Sequence, residues 1–196
     1  AMGELPQGLG LTRAGARPGD DIWVSGCVGG AWAALMHRWG KLTLDARVFP
    51  SAALAMDRPN PRNALGTALL SSATACADIS DGLAQDLGHI LERSGVDADV
   101  LWDAVPKHPA LAALSQEQQV EAAMSGGDDY ELVFTAPADK RGLIEQASIS
   151  ALTPVTRIGR IIEKKQSGAP LAIRDASGRP LFLPVQGFDH FAQGAD

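Results

Sequence analysis

Ala77-Asp78-Ile79-Ser80-Asp81-Gly82-Leu83 joins an apolar run to an amphipathic helix, and its reading decides how the chain is organised. Ahead of it, Thr74-Ala75-Cys76-Ala77-Asp78-Ile79 is short, small and mostly apolar, as a buried strand should be. Beyond it, Leu83, Leu87, Ile90 and Leu91 fall on one face of a helix, which Gly95 stops. Ser80 or Asp81 caps that helix in this reading. Residues 78 and 80 share one side of the strand, and Asp81 sits where the chain turns. Asp78 and Asp81 can therefore converge beside the free N–H groups of a helix start. Carboxylates suit a hard cation such as Mg²⁺, and helix-start amides suit a phosphate oxygen. Together they describe a site for a metal-bound phosphate. The alternative is two ordinary caps and a solvated strand end.

Working outward, Arg17-Pro18-Gly19-Asp20 is a turn that launches a strand, Asp21-Ile22-Trp23-Val24-Ser25. Gly26-Cys27-Val28-Gly29-Gly30 then leads into a helical run from Ala31 to Trp39. That glycine-rich turn invites a phosphate-loop reading. No Lys-Ser/Thr pair follows and no GxGxxG is present, so close packing of strand on helix is favoured. Asn60-Pro61 has the form of a helix start, leading to a helix through Leu65 and Leu69. Residues 98–102 read as a strand, and Pro106 and Pro109 mark a loop with His108 exposed. Ser115 with Gln118 forms a capping box for a helix ending at Ser125-Gly126-Gly127. Asp128-Asp129-Tyr130-Glu131-Leu132-Val133-Phe134-Thr135 follows, with the alternation of a strand. Asp128 and Asp129 are a second acidic pair at an element junction, able to accept from a cation or from amino and hydroxyl groups. A solvated turn is the competing reading. A helix over 138–147, a strand over 155–162 and a hairpin around Asp175-Ala176-Ser177-Gly178-Arg179 complete the body. In the tail, Phe188 and Phe191 either dock on the core or offer a ring to an aromatic ligand.

Composition narrows the function classes. At 196 residues the chain can bury a real core. A net charge of −6 argues against a nucleic-acid or anionic-membrane partner, while leaving phosphates accessible through metal ions. Cys27 and Cys76 have neither zinc-ligand nor CxxC spacing, so reduced thiols and a cytoplasmic location are expected. No apolar run approaches a bilayer span, and no secretory signal is evident. The opening Ala1-Met2-Gly3 reads as the start of an excised fragment.

DISDGLAQDLGHILERSG at 78–95, SGGDDYEL at 125–132 and GFDHF at 187–191 together resemble the thiamine-monophosphate kinases. LTRAGARPGDDIWVSG at 11–26 and RPNPRNALG at 58–66 extend the likeness over essentially the whole chain. DISDGL alone also resembles related ATP-using enzymes of the aminoimidazole ribonucleotide synthetase superfamily. The resemblance implies an α+β fold, a layered α/β/α domain with a mixed sheet, of the aminoimidazole ribonucleotide synthetase C-terminal type. It implies that residues 1–20 are a loop and residual linker from an N-terminal ATP- and metal-binding domain, and that 21–196 form the C-terminal nucleotide- and substrate-binding domain. The implied activity is transfer of the γ-phosphate of ATP to thiamine monophosphate, giving thiamine diphosphate, with Mg²⁺ as cofactor and a homodimeric full-length protein. The isolated fragment is expected to be inactive.

Residue by residue, the resemblance implies that Asp78 and Asp81 hold Mg²⁺ and that Arg13 and Ser80 contact ATP. It puts Asp128 and Phe188 on thiamine monophosphate. The chain departs from the family at one turn: where the family usually reads Gly-Asp-Ser-Ala-Ala-Gly-Leu, this chain has Gly29-Gly30-Ala31-Trp32-Ala33-Ala34-Leu35. An acid and a hydroxyl are lost there, and the bulk of Trp32 puts the local packing in question. Two other readings compete: a synthetase of the same superfamily acting on another phosphorylated substrate, and a non-catalytic ligand-binding domain that has kept the fold.

Overall fold

The computed structural model describes residues 10–181. Its strands are β1 (Asp21–Ser25), β2 (Ala75–Asp78), β3 (Asp97–Leu101), β4 (Leu132–Ala136), β5 (Val155–Ile162) and β6 (Leu171–Arg174). They form one sheet in the order β2-β4-β1-β5-β3-β6. β3 and β6 run parallel and every other neighbouring pair is antiparallel, so the sheet is mixed. The helices are α1 (Gly30–Arg38), α2 (Phe49–Asp57), α3 (Asn63–Leu69), α4 (Leu83–Ser94), α5 (Gln116–Ser125) and α6 (Arg141–Ser150).

β1 is buried at all five positions because helices cover both faces of the sheet there. Ile22 and Val24 point to one side, where Ala77 and Val133 join Trp32 of α1, Leu83, Leu87, Ile90 and Leu91 of α4, and Val120 of α5. Trp23 points to the other, onto Phe134, with Leu65 and Leu69 of α3 and Ile144 of α6. The Trp23 and Phe134 rings lie 6.4 Å apart and nearly parallel. Each large side chain so enclosed contributes about 1.5–3 kcal/mol over its exposed state. The architecture is the expected layered α/β/α domain of the α+β class.

β1, β5, the Ser115–Gln118 capping box, the αL stop at Gly95 and the 175–179 hairpin stand where the sequence puts them. Other boundaries move. α4 is capped by neither Ser80 nor Asp81: its N-cap is Gly82, at φ 108°, with no side-chain cap. α3 begins at Asn63 rather than at Asn60-Pro61. β4 begins only at Leu132, because Asp128 and Tyr130 adopt left-handed φ of 58° and 50°. His108 is 7% exposed, not solvated. Its N–H donates to Val28 O and its Nδ1 accepts from Ala110 N, which draws the loop under α1. α2 is a helix that the sequence reading did not anticipate.

Trp32 resolves the packing question at the altered turn. It is 9% exposed and lies over Gly126, where a Cβ would come within 2.7 Å of the Trp32 Cβ. The indole thus occupies room that a glycine across the interface leaves.

Candidate functional site

The end of β2 and the loop after α5 are bound to each other through their backbones. Asp128 N–H donates to Ser80 O at 2.9 Å, Tyr130 N–H to Ile79 O at 2.9 Å, and Ile79 N–H to Glu131 O at 2.8 Å. Two glycines permit this closeness. A Cβ on Gly82 would meet Met124 O at 2.7 Å, and one on Gly127 would meet Ser80 O at 2.6 Å. The two acidic motifs, 47 residues apart between Asp81 and Asp128, thereby become one surface.

On that surface Asp78 and Asp128 are exposed and Ser80 and Asp81 half-buried. Among the described residues, none of Asp78, Asp81, Asp86 and Asp128 forms an ion pair with an arginine or lysine. Carboxylate oxygens not engaged in ion pairs are what a hard divalent cation requires, so the donor set fits Mg²⁺. The Tyr130 hydroxyl donates to Asp128 Oδ1 at 3.2 Å. Its ionisation is pushed up by the Asp128 charge first, then by burial and that hydrogen bond, with Asp78 and Asp81 adding to it. Asp78, Asp81 and Asp128 thus all act on one phenol.

Asp78 and Tyr130 also line a cleft of about 1010 Å³ between β2, α3 and the segment at Thr12–Arg13. That segment lies along the free edge of β2, where Cys76 N–H donates to Thr12 O at 2.8 Å. Arg13 is exposed and lines the cleft with Arg62, which places guanidinium groups on the same opening as the Asp78 carboxylate. Ser80 and Asp81 are not part of that wall. Asp81 instead faces α4, accepting from Gln85 Nε2 at 3.2 Å and lying close to Asp86 and His89. Phe188 lies outside the described residues.

Two groups escaped the sequence reading, and a third was read for a different partner. Asp86, 1% exposed, accepts from the N–H groups of Ser80 and Asp81 at 2.9 and 3.0 Å through Oδ2. It holds the loop in place of a helix cap. Burial pushes its carboxyl above the ordinary range, the two amides oppose this, and the Asp81 and Asp78 charges add to it. A sequence signal existed: Asp86 stands within the apolar stripe of α4, three residues before His89.

Asp129, read as a possible partner for a cation or an amine, accepts from Gly29 N–H at 2.8 and 3.0 Å through its two oxygens, at the start of α1. Removal from water pushes its carboxyl up to about 7, against the pull of the Gly29, Ala31 and Gly30 amides. The second missed group is Glu131, 5% exposed, which receives Ser25 Oγ and a bidentate Arg62.

Residues 17–171 match the family described as AIR synthase related protein, C-terminal domain. The chain belongs to that family. It is 40% identical over 195 residues to the thiamine-monophosphate kinase of Salmonella typhimurium, covering 97% of this chain. It spans 58% of the length of that relative. The crystal structure of thiamine-monophosphate kinase from Stenotrophomonas maltophilia superposes with a TM-score of 0.78 at 41% identity, over 86% of this chain and 54% of that one. A structure described as AaThiL complexed with AMPPCP and TMP superposes with a TM-score of 0.69 at 27% identity, over 87% of this chain and 52% of that one. No helix among the described residues is long and apolar enough to cross a membrane.

Proposed function

We propose that this chain is the C-terminal, nucleotide- and substrate-binding part of a kinase that transfers the γ-phosphate of ATP to thiamine monophosphate. One observation carries the reading. The 78–83 and 125–131 loops are hydrogen-bonded into one acidic surface beside a cleft that holds Arg13 and Arg62. Phosphoryl transfer asks a protein for positioning and charge neutralisation more than for covalent chemistry, and that surface offers both signs of charge.

In this reading Asp78 and Asp81 hold Mg²⁺, which when bound neutralises phosphate oxygens. Arg13 forks onto the polyphosphate, and the Ser80 hydroxyl, without a hydrogen bond among the described residues, is free to donate to it. Asp128 attracts the cationic, amine-bearing substrate, with Tyr130 holding one of its oxygens. Phe188 stacks on the substrate ring, a role that rests on sequence alone. Residues 1–20 are the linker from an N-terminal domain that completes the ATP and metal site. Residues 21–196 are the nucleotide- and substrate-binding domain. The full-length protein is a cytoplasmic homodimer with no nucleic-acid partner.

The deciding experiment is Asp81→Asn in the full-length protein, assayed for thiamine diphosphate formation at saturating Mg²⁺. Asn keeps the shape and removes the charge. Loss of one transition-state charge contact costs on the order of 3 kcal/mol, about a hundredfold in turnover. The melting temperature should stay within a few degrees. Near-normal turnover would return Asp81 to a purely structural role, and absence of the reaction in the unaltered protein would remove the kinase reading altogether.

A further inference from the structure

We infer that Asp81, Asp86 and His89 form a cation site that takes a divalent transition metal such as Zn²⁺. One donor atom from each of the three lies within 4.8 Å of the others. The inference rests on this geometry and stands whether or not the chain belongs to a kinase.

Each carboxylate is already oriented through one oxygen. Asp86 Oδ2 is held by the Ser80 and Asp81 amides, and Asp81 Oδ2 by Gln85 Nε2. Outer hydrogen bonds of this kind fix carboxylates that bind metals. Asp86 Oδ1 is the second observation. It is buried with no hydrogen-bond partner, on a side chain 1% exposed, among the described residues. A buried carboxylate oxygen without a donor is costly unless a proton or cation meets it. Among the described residues no arginine or lysine pairs with Asp81 or Asp86, so a cation placed here would meet no competing charge.

The donor set selects the metal. Asp86 and His89 stand three positions apart on α4, so both side chains leave the same helix face. Half-buried His89 brings an imidazole nitrogen, which suits zinc and other borderline metals and is a poor ligand for Mg²⁺. Two carboxylates and one imidazole make three protein ligands, the number that leaves zinc a fourth position for water or an external oxygen. Asp78 is not a member of the cluster. The site therefore shares Asp81 with the Mg²⁺ pair proposed above and differs from it in its other ligands.

The test is isothermal titration of the 196-residue chain with Zn²⁺ alone, and separately with Mg²⁺ alone. One Zn²⁺ should bind, and His89→Gln should weaken it by at least about a hundredfold, since even outer partners of metal ligands cost 10–100-fold. Asp86→Asn should do the same. If that variant fails to fold because the loop amides lose their acceptor, His89→Gln still decides. Asp78→Asn should leave Zn²⁺ affinity within a few fold while abolishing phosphoryl transfer in the full-length kinase. That contrast separates failure of this site from failure of the kinase reading. His190→Gln controls for the histidine of the tail. Absence of Zn²⁺ binding, equal affinity in His89→Gln, or loss of binding only in His190→Gln would each overturn the inference.

Discussion

Arg62→Met should destabilise this domain by about 3–5 kcal/mol, the cost of stranding a buried charge. Arg62 precedes α3, and its Nε reaches Glu131 Oε2 at 2.6 Å while Nη2 meets Oε1. The side chains are 17% and 7% exposed, so Glu131 has little access to water when the guanidinium leaves. Its remaining donor is the Ser25 hydroxyl, a single neutral bond to an anion. Methionine keeps most of the arginine stem, so lost packing contributes little. In a domain of this size 1 kcal/mol corresponds to roughly 2–4 °C, which puts the expected fall in Tm at about 6–20 °C. Urea unfolding of Arg62→Met, Glu131→Gln and the double variant separates pairing from packing. Removing both charges should cost less than the sum of the singles by roughly 1–3 kcal/mol. The internal comparison is Arg47→Met: the Arg47–Asp45 pair is 89% and 49% exposed, and its loss should leave the urea unfolding curve nearly unchanged. If Arg62→Met costs no more than Arg47→Met, the burial argument is refuted.

Three further outcomes are expected. Asp129 is raised from an ordinary 3.8 to about 7, so the stability its protonation supplies is complete below pH 4 and lost as the pH rises to 7; Tm of the unaltered chain should fall over that window relative to Asp129→Asn, and parallel curves would contradict the shift. Gly82→Ala should cost about 1–3 kcal/mol in urea unfolding, because φ is 108° and the new Cβ would press on Met124 O and Ser125 Cα; a neutral substitution would mean that the two loops can part freely. Burial raises the Cys27 thiol to about 11 and the Cys76 thiol to about 12, so at pH 8 iodoacetamide should label the native chain roughly a hundredfold more slowly than the urea-unfolded one; rapid native labelling would place the thiols nearer water.

What the sequence disclosed was local, and what it withheld depended on distant partners. β5 and the Ser115 capping box announce themselves within a few residues, by alternation and by side chains that reach their own backbone. Asn60-Pro61 has the same local form and misleads, because Arg62 is drawn to Glu131, 69 residues away. His108 looks like a loop residue until Lys107 bridges to Val28 and carries it inward. α2 has a proline near its start, but Ala52 is its one buried position, so no apolar stripe marks it. In the site, Asp78, Asp81 and Asp128 stood out as carboxylates at element junctions. Asp86 did not, because its role appears only once α4 folds it beneath the amides of Ser80 and Asp81. The pairing of the two acidic loops rests on main-chain atoms, which every residue type supplies alike.

Asp129, seated on the amides that open α1, gives the chain an internal competitor for anions, charged above about pH 7 and a neutral acceptor below it. A tethered group acts on its site as though present at millimolar concentration or above, whatever the solution contains. Free phosphate would have to displace a carboxylate that never diffuses away, and would gain only the macrodipole attraction the carboxylate already enjoys. The glycine turn of residues 26–30 is therefore closed to polyphosphates by occupancy rather than by shape. An anionic ligand is directed instead to the cleft along the edge of β2, where Arg13 has no ion pair among the described residues while Arg62 is held by Glu131.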